Sequence, residues 1–131
     1  MEYLYALDSA NLTLRVVEFL RHDDTLPLDT VTVLHRREGW ILCVRFKWLP
    51  HPQQMRDLQA LMLEFGRSYQ PSPLIEEVLQ CLFAGQPLLE VMETYQFRVA
   101  VVSHGQPTPI EIESFREQFI QGLGYCPPSL A

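Results

Sequence analysis

The segment from Thr30 to Trp48, TVTVLHRREGWILCVRFKW, constrains the fold more than any other stretch of this chain. Thr30 to His35 alternates and is β-branched, Arg36 to Gly39 reads as a tight connection, and Trp40 to Trp48 alternates again. Two such runs joined by a short polar turn predict an antiparallel hairpin. In the second run Trp40, Leu42, Val44, Phe46 and Trp48 share one face, and Ile41, Cys43, Arg45 and Lys47 share the other. The first face is apolar throughout and is predicted to meet the helices. Burying the second would take two cations out of water, at a cost on the order of several kcal/mol each.

The flanking pattern supplies the other elements. Glu2 to Leu7 reads as a first strand, and Asp8 or Ser9 can cap a helix to about Arg21 whose Leu12, Val16, Phe19 and Leu20 recur at helical spacing. Two prolines in LPHP end the hairpin's second strand. Met55, Leu58, Met62 and Phe65 mark a helix ending near Gly66, with SYQPSP as a loop. Ser72 and Pro73 open a third helix, and Leu88, Leu89 and Met92 a short fourth. Gln96 to Val102 is the last strand. Thr108, Pro109 and Glu111 form a capping box for a final helix through Phe115 and Phe119, with a tail from about 124 to 131. The order is βαββ(ααα)βα. It predicts a single α+β domain over residues 1–131, a ferredoxin-like two-layer sandwich with a four-stranded antiparallel sheet and helices mainly on one face.

Hydrophobic residues make up 47% and charged residues 20% of the chain, a globular rather than a disordered balance. The net charge of -6 argues against nucleic acid as a partner, since phosphate binding calls for a basic surface. Cys43, Cys81 and Cys126 are odd in number and widely spaced, which argues against a disulfide framework or a zinc site and suits a reducing compartment. The N-terminal residues lack the basic start and long apolar core of a secretion signal, and no run approaches a membrane span, so a cytoplasmic, soluble protein is expected.

Residues with chemical potential are sparse. Asp8 sits at the end of a strand and the mouth of a helix, where a metal-dependent phosphodiesterase could place a ligand, but a helix cap is the favoured reading. His22, Asp23 and Asp24 cluster without a partner motif. Ser103 and His104 are sequence neighbours, a poor geometry for a triad, and no phosphate-binding glycine loop occurs. No catalytic residue, metal site or cofactor is assigned.

If Phe97, Val99 and Val101 point inward, Arg98 points outward with Ala100 and Val102. The open sheet face then carries Ile41, Cys43, Arg45, Lys47 and Arg98, a mixture too apolar for solvent and too basic for a core. Apolar patches rimmed by charge mark contact sites. The expectation is a non-enzymatic protein-binding adaptor, regulator or assembly factor, binding another protein within a larger complex through those five residues and through the Pro-Pro tail. The alternatives are the Asp8 phosphodiesterase and a small-ligand-sensing domain that forms a homodimer through the same face.

Overall fold

A computed structural model describes residues 2–37 and 39–130. Met1, Glu38 in the expected hairpin connection and Ala131 in the tail lie outside the described residues. The elements run β1 (Glu2–Leu7), α1 (Ala10–His22), β2 (Leu28–Arg36), β3 (Gly39–Phe46), α2 (Pro52–Phe65), β4 (Gly66–Ser68), α3 (Pro73–Phe83), α4 (Leu88–Tyr95), β5 (Val99–His104) and α5 (Pro109–Leu123), followed by a single 3-10 turn, Pro128–Leu130. Among the described residues, no helix is long and apolar enough to cross a membrane.

Among the described residues the architecture is α+β with one antiparallel sheet, but the sheet has five strands rather than four, in the order β4-β1-β3-β2-β5. The hairpin forms as its alternation requires, with Val33 opposite Leu42 and Arg36 opposite Gly39. Trp40, Leu42, Val44 and Phe46 are buried together in the main core. There they meet Leu7 from β1, Val99 and Val101 from β5, and the inner sides of α1, α2 and α5. Trp40 packs on Phe119 of α5 at 4.7 Å between ring centroids and stacks on His35 at 4.1 Å. Trp48 departs from the expected parity because β3 ends at Phe46; its side chain is 63% exposed.

The extra strand, β4, carries no strand signal in its residues Gly66, Arg67 and Ser68. It forms because α2 delivers the chain beside the open edge of β1, where Ala6 pairs with Arg67 and Leu7 with Gly66. Only glycine fits at position 66: a Cβ there would lie 2.4 Å from the Ala6 carbonyl oxygen.

The expected two-layer arrangement is corrected. Helices α3 and α4 lie on the opposite face of the sheet from α1, α2 and α5, which makes three layers. Ile75, Val78, Leu79 and Leu82 of α3 and Val91 of α4 form a second core with Leu34, Cys43 and Ala100 of the sheet. Phe97, expected in the main core, is buried in this second one, because it precedes β5 and follows Gln96 at φ 60°. The physical reason is room. Five strands about 4.8 Å apart span about 19 Å, and helices pack about 8–10 Å apart, so three helices already fill one face.

Caps set the helix boundaries. Ser9, not Asp8, accepts from the Leu12 amide at the start of α1. Thr108 and Glu111 form the expected reciprocal box at α5. At the far end of α1, the Gln106 side-chain nitrogen sits 2.6 to 2.9 Å from the carbonyls of Leu20, Arg21 and Asp23, satisfying acceptors that the helix leaves open.

Candidate functional site

The five residues expected on an open face are divided by the third layer. Cys43 is 1% exposed, and burial, with the Glu2 charge adding, pushes its thiol up to about 12. Ile41 is half-buried against the second core. A partner reaches either residue only by displacing α3. Arg45 stands at the rim of this packing. Its guanidinium lies 4.1 Å from the Phe83 ring centroid, and its Nε is 4.0 Å from a Glu2 carboxylate oxygen. Lys47 lies past the strand end and is exposed, as is Arg98 just before β5. Covering the apolar half of the face while leaving its basic half at the edge resolves the conflict in its composition without burying an unpaired cation.

The other candidates find structural work. Asp8 pairs with Arg67 at 3.0 Å on the surface. Asp23 accepts from the Thr25 hydroxyl at 2.6 Å and from the Gln54 amide at 3.3 Å, and the Thr25 bond first of all holds its carboxyl below the ordinary range. Ser103 is fully buried and His104 exposed, so this pair does not converge. Among the described residues, no three metal-ligating side chains come together. Cys81 lies 3.8 Å from the Tyr95 hydroxyl, while Cys126 is exposed. The tail is docked rather than loose: Leu130 is buried in the main core, and Arg116 donates from Nε to its carbonyl at 2.5 Å.

A different surface emerges at β5. Among the described residues it ends the sheet, with β2 as its single neighbour. The Gly105 amide donates to the Asp29 carbonyl at 2.7 Å, and the register continues through Ser103 opposite Val31 and Val101 opposite Val33. Antiparallel ladders bond at alternate residues. The backbone groups of Val99, Val101 and Ser103 therefore face β2, and those of Ala100, Val102 and His104 face outward. The outward edge opens into a groove of about 410 Å³ between two helices. Leu88, Leu89 and Met92 of α4 form one wall, and Ser114, Phe115 and Gln118 of α5 the other. Leu89 is 71% exposed there. On the helix surfaces, Glu93 lies one turn from Leu89, and Glu117 one turn from Ser114 and Gln121, so acidic groups flank the groove.

Past His104 the same side continues into a cavity of about 480 Å³ shared by Val102, His104, Phe83 and Arg45. Sequence reasoning missed this edge because nothing in VAVVSH distinguishes an edge strand from a central one; its place is set by strand order. No protein-family model, no curated protein and no solved structure matches the chain.

Proposed function

We propose that this chain is a protein-binding adaptor or assembly factor that takes up an extended segment of another protein along the outer edge of β5. The observation that carries this reading is the outward backbone edge of Val102 and His104 between two helix walls, with Ala100 buried at its start. A strand edge with unpaired N–H and C=O groups recruits extended backbone, and pockets beside it select alternate side chains. The flanking Glu93 and Glu117 favour an incoming segment that carries Lys or Arg beside apolar residues. Pairing with a second copy is disfavoured. A two-fold β5–β5 ladder would bring α4 against α4 and α5 against α5, each acidic, in chains of net charge -6. Arg98 at the start of the edge and Arg45 beyond His104 then bracket the contact. Ile41, Cys43 and Lys47 lie in or just after β3, with β2 between them and this edge, and take no part in the contact.

We also propose that β1 to β4 with α1 and α2 constitute a ferredoxin-like unit extended by α3, α4, β5 and α5. What supports this is the antiparallel order β4-β1-β3-β2.

The test is selection from a displayed library of short peptides on the wild-type protein, followed by binding to Val102→Pro. Proline at 102 removes an N–H that faces the edge and leaves the β2 ladder intact. Enriched peptides are expected to alternate apolar and basic residues, to weaken with salt, and to lose binding to a folded Val102→Pro protein. Equal binding to that variant, or a stable dimer by light scattering that Val102→Pro dissociates, would overturn the assignment.

A further inference from the structure

The opposite end of the sheet holds a second cavity, of about 310 Å³, where the end of β1, the start of β3 and β4 meet the first turn of α3. Its floor is apolar, from Leu7, Ile41, Leu74 and Ile75. Its polar lining is of one kind: the guanidinium side chains of Arg36 and Arg67, with the hydroxyl side chains of Tyr69 and Ser72. No described carboxylate lines it. Arg67 reaches out to Asp8 at 3.0 Å, on a bridge that is mostly solvent-exposed and therefore weakly held. Arg36 is half-buried, with its guanidinium 5.8 Å from the Phe97 ring centroid, and has no ion pair among the described residues. Arg98 is close by, its amide donating to the His35 carbonyl at 2.9 Å. With Arg37 in the turn, four of the ten Lys and Arg residues of an acidic chain gather at this end.

We infer that this cavity is a binding site for a small phosphate monoester with a compact apolar body. Two guanidinium groups match the charge of a phosphate dianion and can each bond it through paired N–H groups. The hydroxyls of Tyr69 and Ser72 supply further donors. The volume lies at the lower end of the range for small-molecule pockets, which selects a single ring or short chain over a nucleotide. The apolar floor holds that body, so a phosphate ester binds more tightly than inorganic phosphate. The lining of this cavity shares no residue with the β5 groove, so the inference does not depend on the function proposed for that edge.

The test is calorimetric titration of the full chain with phenyl phosphate, inorganic phosphate and phenol, with amide chemical-shift mapping alongside. Phenyl phosphate is expected to bind at one site more tightly than inorganic phosphate, and phenol not to bind, with shifts centred on Arg36, Gly39, Tyr69 and Ile75. Arg36→Gln and Arg67→Gln are each expected to raise the Kd by at least about tenfold. Arg56→Gln, on the outer side of α2, should leave it unchanged. Leu74→Trp keeps both cations and fills the cavity, so it should abolish binding even where an arginine variant folds poorly. Absence of saturable phenyl phosphate binding, or an unchanged Kd in folded Arg36→Gln, would overturn the inference. So would a phosphotyrosine peptide that binds at least about tenfold more tightly than phenyl phosphate, because the ligand would then be a protein segment.

Discussion

Cys43 reports directly on whether α3 and α4 shield the second face of the sheet. The residue is 1% exposed, and burial lifts its thiol from its ordinary 9.0 to about 12. Below both values, the thiolate is about 1,000-fold scarcer than for a solvent-exposed thiol, before steric shielding is counted. The informative perturbation is Leu79→Ala. Leu79 is 2% exposed in the second core, and truncating a buried leucine costs about 2–5 kcal/mol. If that loss falls on the docking of α3 and α4, their opening is favoured by the same amount. Labelling of Cys43 then accelerates by about 30-fold at the lower bound, a factor of ten for each ~1.4 kcal/mol. The assay is thiol-disulfide reagent kinetics on a Cys81→Ser, Cys126→Ser background, with Cys126 alone as the exposed standard. In the Leu79-containing protein Cys43 should react at least about 100-fold more slowly than Cys126, because its thiolate is scarce and α3 must open before a reagent reaches it. Equal rates would refute the three-layer packing and restore an open face at Ile41 and Cys43. An unchanged Cys43 rate in Leu79→Ala would refute local opening of the α3–α4 layer.

Two further outcomes follow from particular contacts. Gly66→Ala places a Cβ 2.4 Å from the Ala6 carbonyl oxygen, and the resulting shift of β4 should lower stability by about 1–3 kcal/mol in thermal melts; an unchanged melt would exclude the close β1–β4 approach. His35 titrates below its ordinary 6.5, chiefly through burial, with the Arg98 charge adding to the effect and its bond to the Gly39 carbonyl opposing it. The unfolded imidazole therefore takes up its proton first as the pH falls, so stability should be full above 6.5 and decline as the pH drops towards the lowered folded value. Urea unfolding across that window checks the sign, and a slope that persists in His35→Gln would assign it to another group.

Much of the local structure was legible because its causes are local. The hairpin, the inward parity of Trp40 through Phe46, Ser72 before Pro73, and the Thr108–Glu111 box all follow from side-chain alternation or from bonds spanning three residues. β4 was not legible, since Gly66, Arg67 and Ser68 pair only because a neighbouring edge exists. The apolar stripe of α3 announced that the helix must be buried, without saying on which face. The site was less legible still. The mixed face of β3 was read as a contact region; α3 covers its apolar half, and Arg45 and Lys47 stand at its rim. The outward edge of β5, however, depends on which strand lies beside it.

By itself the sequence determined the apolar face of β3 from Trp40 to Phe46 and the buried stripes of the helices, set by desolvation costs that act residue by residue. The tertiary structure decided the neighbours. Three helices exhaust the width of one sheet face, so α3 and α4 take the other and bury Cys43. The order β4-β1-β3-β2-β5 leaves β5 at the margin. Both outcomes depend on how many elements compete for the same sheet surface, a property of the whole chain that no single stretch of it encodes.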